Sequence, residues 1–102
     1  MNKMNTDLKK ICPVCGYDKL EQPPYDEYGY PTYVICSCCG FEFGFDDSSK
    51  NMTFSKYREN WILKGFPFFN KNEKPKIWNK EVLKEQLKNI ELVNYKPKIT
   101  KP

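Results

Sequence analysis

The clearest hydrophobic pattern lies in the first half of the chain, where Phe41, Phe43 and Phe45 alternate with small or acidic residues. One apolar residue in every two is the period of a strand that buries one face. Two shorter segments, residues 20–22 and 33–35, come before it and are separated by a stretch rich in proline, tyrosine and acidic residues. We expect these two segments to pair as antiparallel strands, with the proline-rich stretch as their connection.

A helical period begins after the acidic and serine-rich residues that follow these strands. Phe54, Tyr57 and Trp61 are spaced by three and four residues, which places them on one face of a helix predicted over residues 54–64. A threonine before this segment and a glycine after it supply an N-cap and a stop. The link that follows, residues 66–78, contains prolines and aromatic residues, and we expect its aromatic side chains to pack between the helix and the strands.

The second predicted helix begins near Lys80 and covers residues 80–91, with Asn79 as its N-cap. Leu83, Leu87 and Ile90 are spaced by four and three residues and form its apolar face. The residues beyond this helix are rich in lysine and proline and show no such period. We therefore expect them to form a frayed basic tail.

Five cysteines carry the most specific chemical pattern in the sequence. Residues 12–16 read CPVCG, residues 36–40 read CSCCG, and twenty residues separate Cys15 from Cys36. Two intervening residues let a tight turn aim both sulfurs of a Cys-x-x-Cys unit at one ion, and the glycine tolerates the positive φ that such a turn needs. Two such units are typical of a tetrahedral zinc site. The predicted ligands are Cys12, Cys15, Cys36 and Cys39.

Cys38 competes for a place in the second unit. Pairing Cys36 with Cys39, however, repeats the spacing of the first unit and puts Gly40 where Gly16 stands. Cys38 is therefore predicted to be a spare thiol, and we expect one zinc ion (Zn2+) per chain. A four-sulfur site also suits the iron of a rubredoxin-like electron-transfer protein, which stays open as an alternative.

Together these elements predict a small α+β fold in which a zinc ribbon precedes two helices. The ribbon consists of the two Cys-x-x-Cys-Gly knuckles carried on antiparallel hairpins. We expect a single domain over residues 1–102, composed of the ribbon at residues 10–47, a helical extension at residues 53–92 and the basic tail at residues 93–102. A core this small usually needs reinforcement, which a metal ion supplies.

The compartment follows from what the sequence lacks. It has no apolar run long enough for a membrane helix, and its first ten residues lack the apolar stretch of a signal peptide. We therefore expect a cytoplasmic protein with no membrane partner. An odd number of cysteines in a reducing compartment fits a four-ligand site and one spare thiol better than a set of disulfides.

Charge is distributed unevenly along the chain, whose net charge is +4. Residues 1–49 sum to −4 and residues 50–102 sum to +8. Four thiolates around one zinc ion would add about −2 to the first half. The metal half is thus acidic and the other half basic, although scattered lysines usually form no more than a solvated face.

Some of these motifs resemble a known group of proteins. CPVCGY at residues 12–17 and ICSCCGFEFGFDD at residues 35–47 resemble the two knuckles of small bacterial cysteine-rich proteins of the CPCC type. YRENWILKGFPFF at residues 57–69 resembles a stretch in closer members of that group. The usual first knuckle has adjacent cysteines, whereas this chain has Val14 before Cys15 and its adjacent pair in the second knuckle. The resemblance implies a bacterial zinc-ribbon protein and, by analogy, an immunity or antitoxin-type partner.

An enzyme is not expected. Four sulfurs close the coordination sphere of zinc, whereas catalytic zinc keeps one position open. The chain also has no histidine, which removes the commonest general base. It contains neither a glycine-rich phosphate loop nor a nucleophile elbow.

A protein-interaction module that binds a basic protein is the function we expect. Aromatic residues make up 16% of the chain and are enriched in the buried centres of interfaces. The predicted contact residues are Glu42, Asp46, Asp47, Tyr25, Tyr28 and Tyr30. The alternative is a nucleic-acid-binding zinc ribbon that uses the lysine-rich C-terminal half. The acidic ribbon and the single arginine, Arg58, count against that alternative.

Overall fold

The computed structural model describes residues 8–93, and in that range the chain forms two α-helices, α1 and α2, and three short 3-10 helices. The α-helices are Phe54–Leu63 (α1) and Lys80–Leu87 (α2), and the 3-10 helices are Leu8–Lys10, Lys71–Glu73 and Lys88–Leu92. The predicted basic tail lies outside the described residues except for its first residue. None of the helices in the described range is long and apolar enough to cross a membrane.

Both predicted helices are present, and each begins at its predicted N-cap. The Thr53 hydroxyl accepts the Lys56 N–H at 3.1 Å at the start of α1, and the Asn79 side chain accepts the Val82 N–H at 3.0 Å at the start of α2. Each cap satisfies a first-turn donor that has no partner inside the helix. α2 ends earlier than predicted, at Leu87, and the chain continues as a 3-10 turn of five residues.

The predicted strands at residues 20–22 and 33–35 do not pair with each other. Between residues 8 and 93 the structure contains no strand, only two isolated antiparallel bridges. The Leu20 N–H donates instead to the Lys10 carbonyl at 3.2 Å. Prolines in the connection have no N–H for a ladder, which limits pairing on this side. Tyr33 has a φ of 64°, which interrupts the extended backbone of the second segment.

A turn closed by one isolated antiparallel bridge forms around the second cysteine unit instead. The Cys36 N–H donates to the Phe41 carbonyl at 3.0 Å, and the Phe43 N–H donates to the Val34 carbonyl at 3.1 Å. Phe41 and Phe43 are buried, as the alternation predicts. Phe45 is 43% exposed, because its N–H donates to the carbonyl three residues earlier and so ends the extended backbone.

The core is built around the cysteine units, and Phe41 and Phe43 are its largest fully buried side chains. The Phe41 ring meets the Tyr57 ring edge to face at a centroid distance of 4.9 Å and the Phe54 ring at 5.6 Å. Aromatic pairs of this geometry contribute about 0.5–1.5 kcal/mol beyond the area they bury. The apolar face of α1 is therefore packed directly on the segment that carries the second cysteine unit.

The link between the helices forms a second aromatic cluster. Phe68 contacts the Trp78 ring at 5.2 Å, and Trp61 of α1 contacts Phe66 at 6.3 Å. Both indole N–H groups donate to carbonyls of the link at 2.9 Å. These aromatic side chains pack against α1 as predicted, but Phe69 does not join them and is 61% exposed.

Close contact between Gly16 and α2 generates the first testable prediction. Gly16 has a φ of 85°, and a Cβ there would lie 2.1 Å from the Gln86 carbonyl oxygen. A positive φ costs a residue other than glycine about 1–2 kcal/mol. We predict that Gly16→Ala lowers the free energy of unfolding by more than this amount, because α2 must also move away.

Gly65→Ala is the matched control, since Gly65 has a φ of 93° and a Cβ added there would meet nothing within 4 Å. Urea unfolding of both variants separates the two contributions. Equal losses for Gly16→Ala and Gly65→Ala would show that the contact with α2 adds nothing to stability.

Candidate metal centre

The first cysteine unit, residues 12–16, folds into a tight knuckle. The Cys12 carbonyl accepts the Gly16 N–H at 2.8 Å, and the Cys12 N–H donates to the Tyr17 carbonyl at 2.7 Å. The Val14 N–H lies 3.4 Å from the Cys12 Sγ and donates to it. The positive φ of Gly16 is the conformation that the Cys-x-x-Cys-Gly spacing predicts.

The second cysteine unit, residues 36–40, repeats this geometry. The Cys36 carbonyl accepts the Gly40 N–H at 2.9 Å, and the Cys36 N–H donates to the Phe41 carbonyl. The Cys38 N–H donates to the Cys36 Sγ at 3.4 Å, and Gly40 has a φ of 83°. Two knuckles with the same three hydrogen bonds therefore face each other across the site.

The knuckles bring the four predicted ligands together. The sulfurs of Cys12, Cys15, Cys36 and Cys39 all lie within 4.8 Å of one another, and all four residues are buried. The Cys12 and Cys39 sulfurs are 3.9 Å apart, and the Cys15 and Cys36 sulfurs are 3.6 Å apart. A tetrahedron with metal–sulfur bonds of about 2.3 Å has sulfurs about 3.8 Å apart. The four cysteines are thus positioned to hold a metal ion.

The protonation of these thiols depends strongly on their burial. Burial raises the pKa of the Cys12, Cys15 and Cys39 thiols above the ordinary value. Burial acts in the same direction on Cys36, but hydrogen bonds with the other three sulfurs lower the pKa of its thiol well below the ordinary value. Four thiolates at one buried point repel one another, so only a cation among them can keep all four deprotonated.

A tyrosine on α1 supports the second knuckle. The Tyr57 hydroxyl donates to the Cys39 carbonyl at 3.0 Å. Burial and, after it, the negative charge of the Cys39 sulfur raise the pKa of Tyr57 to about 12. The phenol therefore stays protonated at neutral pH and keeps its donor.

Three side chains from the helical half hold the first knuckle. Arg58 of α1, Gln86 of α2 and Asn89 of the following 3-10 turn each donate to one of its backbone carbonyls. The accepting carbonyls belong to Val14, Cys15 and Gly16, at 2.6, 3.0 and 2.9 Å respectively. Sequence reasoning missed all three residues, because no local spacing links a helix side chain to a carbonyl more than forty residues away.

The fifth cysteine stands apart from the group of four. Cys38 is fully buried, and its sulfur is not among those that converge. The Gln86 side-chain amide lies 3.4 Å from the Cys38 sulfur and also donates to the first knuckle. The Cys38 carbonyl accepts the Phe69 N–H at 2.9 Å. This placement favours the prediction that Cys38 is a spare thiol.

Several of the predicted partner contacts have internal roles instead. Tyr25 is buried, at 3% exposure, and its hydroxyl donates to the Asp47 carboxylate. Asp47 also accepts the Gly44 N–H at 2.7 Å, and Asp46 accepts the Glu42 N–H at 2.8 Å. The expectation that Tyr25 is exposed is therefore wrong. The physical reason is that the Tyr25 ring packs edge to face on a fully buried phenylalanine ring. The two carboxylates are engaged because the tight turn that contains them leaves N–H groups unpaired, which they satisfy.

Two other predicted contacts, Tyr28 and Tyr30, are 64% and 60% exposed, and Glu42 is half-buried. Both follow Asp26, whose carboxylate accepts their N–H groups at 2.8 and 3.0 Å. The Asp26 N–H donates in turn to the Tyr30 carbonyl at 2.8 Å. The structure thus places these two tyrosines on a braced surface loop.

The fold and the site define a small cysteine-rich protein in which four cysteines are positioned to hold a metal ion. The chain is 31% identical over 101 residues to the uncharacterized protein YoaQ of Bacillus subtilis, covering 79% of this chain and 86% of YoaQ. It is 30% identical over 102 residues to the uncharacterized protein YozI of the same organism, covering 79% of this chain and 84% of YozI. The chain belongs to the family of YoaQ and YozI. No protein-family model and no solved structure matches it.

The geometry of the four sulfurs yields a prediction for each cysteine. We predict that serine in place of Cys12, Cys15, Cys36 or Cys39 lowers both the bound metal and the thermal midpoint, because an alcohol is a poor replacement for a thiolate ligand. Cys38→Ser is the matched control and should change neither quantity by a comparable amount. Elemental analysis and thermal unfolding measure the two effects. Metal loss in Cys38→Ser together with full retention in Cys39→Ser would reverse the assignment of the second knuckle.

Proposed function

We propose that this chain is a non-enzymatic binding module whose fold is held by one structural zinc ion. The observation that carries the proposal is the convergence of four buried cysteine sulfurs within 4.8 Å of one another. Sites built from four cysteines on two Cys-x-x-Cys units are a common form of structural zinc. The paired knuckles support a zinc-ribbon assignment, and they carry the resemblance to the CPCC-type proteins.

Iron is the second candidate for the same site. A tetrahedron of four thiolates suits a rubredoxin-type iron as well as zinc. A ferric four-sulfur centre is red and absorbs in the visible range, whereas a zinc centre is colourless. The proposal therefore requires purified protein that is colourless and contains one zinc ion per chain.

A role outside catalysis agrees with the surroundings of the site. Four sulfurs complete a tetrahedral sphere and leave no position for a substrate or a reactive water. All four cysteines are buried, and the chain contains no histidine to act as a general base beside them. The chemistry of the site thus supports stabilisation of a fold.

The best-supported contact surface is the tyrosine loop, residues 26–30, which reads DEYGY. It presents the two exposed tyrosine rings beside the exposed Asp26 and Glu27. Exposed tyrosine supplies contact area at a low cost in conformational entropy. Its acidic residues favour a basic partner, which they would attract mainly by raising the association rate. We therefore propose that the chain acts as an immunity- or antitoxin-type partner of a basic protein.

Nucleic-acid binding is less well supported. The only arginine in the chain, Arg58, uses its guanidinium on the Val14 and Pro13 carbonyls of the first knuckle. It is therefore committed to the metal half and is not presented as a bidentate phosphate donor. Lysines remain available for nonspecific contact, whose affinity would fall steeply with salt.

A pull-down with the product of the neighbouring gene, beside a nucleic-acid gel shift, tests the proposal. We predict binding to a basic protein at an ionic strength of about 0.15 M. Replacing both Tyr28 and Tyr30 by alanine should weaken that binding about tenfold or more, because large exposed aromatic residues dominate interface energetics.

Leu63→Ala with Ile77→Ala is the matched control, since both residues are exposed apolar side chains outside the tyrosine loop. Salt-sensitive nucleic-acid binding without a protein partner would contradict the proposal. Equal binding by the tyrosine and control variants would remove the loop as the contact surface.

A further inference from the structure

A second surface, on the helical side of the metal centre, has the features of a binding groove. The groove runs between α1 and the segment that follows Pro67. Its apolar lining consists of Met52, Tyr57, Trp61, Pro67, Phe68 and Phe69. Phe69 is 61% exposed, so its ring forms a wall that projects beside the buried Trp61 and Phe68. None of the residues in this lining belongs to the tyrosine loop.

The polar residues of the groove all offer donors. They are Asn60 and Lys64, on and just after α1, and Lys71 on the opposite side. Among residues 8–93, no ion pair or hydrogen bond engages the side chain of any of the three. The lining contains no aspartate or glutamate. The groove therefore combines an apolar floor with two unpaired ammonium groups and an unpaired amide.

The metal centre fixes the shape of this groove. Cys39 lines it, and the Tyr57 hydroxyl donates to the Cys39 carbonyl at the base. The Phe69 N–H donates to the Cys38 carbonyl at 2.9 Å, and a Cβ on Gly40 would lie 2.8 Å from the Phe69 ring. The exposed ring thus rests on the glycine of the second knuckle. Its position is set by backbone contacts, which limits the entropy that it loses when a partner binds.

We propose that this groove binds an acidic segment of a partner protein. One apolar side chain of that segment lies against Trp61 and Phe69, and carboxylates on either side of it pair with Lys64 and Lys71. The exposed charge of the lining selects for acidic chemistry, since its two lysines face no carboxylate within the groove. The centre of a protein interface is usually a large side chain of one partner inserted in a pocket of the other.

A peptide segment suits the groove better than a small molecule does. Both lysines and Phe69 are exposed, so the groove is open along its rim. A small ligand gains affinity when most of its surface is enclosed, which an open groove does not provide. A segment of a larger partner needs to insert only one side chain and can make its remaining contacts along the rim.

The experiment selects ligands from a displayed library of random peptides on the metal-loaded chain and then measures the affinity of the selected peptide by calorimetry. We expect enrichment of sequences in which Asp and Glu flank one apolar residue. Lys64→Glu with Lys71→Glu should weaken binding of the selected peptide about tenfold or more, and so should Phe69→Ala.

Lys74→Glu with Lys76→Glu is the matched control, because it makes the same change of charge at exposed positions that do not line the groove. It should leave the affinity within about twofold of the unaltered chain. Every variant is compared only after its metal content and thermal midpoint are shown to equal those of the unaltered chain. A loss of binding then reflects the change in the groove and not a loss of the fold.

Three results would overturn the proposal. The first is selection of no peptide, or of peptides without acidic residues. The second is equal weakening by the groove and control charge reversals. The third is self-association, measured by sedimentation, that Lys64→Glu with Lys71→Glu abolishes, because the occupant would then be a second copy of this chain. Each of these results leaves the proposed role of the tyrosine loop toward a basic partner to be judged by its own test.

Discussion

Four cysteine sulfurs, from two knuckles that are distant in the sequence, converge at one buried point. The rest of the described chain packs around this group of sulfurs. Thiolates placed so close together repel one another and are costly to bury, so four deprotonated cysteines are stable there only with a cation among them. Glycines at positive φ close both knuckles, and backbone N–H groups point at the Cys12 and Cys36 sulfurs. The two largest fully buried side chains, Phe41 and Phe43, follow the second knuckle directly.

The two helices pack over the cysteine centre, and their stability depends on it. α1 has ten residues and α2 has eight, and isolated helices shorter than about 12–15 residues are marginal in water. Their stability must come from docking, and the docking surface is the pair of knuckles. Arg58, Gln86 and Asn89 bind carbonyls of the first knuckle. The proposed structural zinc would contribute on the order of 10–16 kcal/mol, as it does in small finger domains, which is enough to hold the knuckles and hence the surface on which the helices pack.

Local patterns in the sequence predicted the parts of this structure that have a local cause. The spacing of the cysteines indicated the group of four, and a period of three to four residues with a capping residue located both helices. The prediction that residues 20–22 pair with residues 33–35 was wrong, because prolines and the positive φ of Tyr33 oppose an extended ladder. Other contacts join residues that are far apart in sequence, where no period marks the partner. They are the hydrogen bonds that support the first knuckle and the hydrogen bond between Tyr25 and Asp47.

Hydrogen exchange of the amides in α1 and α2, followed while a chelator removes the metal, tests most directly whether the helices depend on the cysteine centre. The account predicts that protection in both helices falls together with protection in the two knuckles, and that added zinc restores all four regions. Helix amides that keep their protection after elemental analysis shows complete loss of metal would contradict it, since the helices would then be stable without the centre on which they pack.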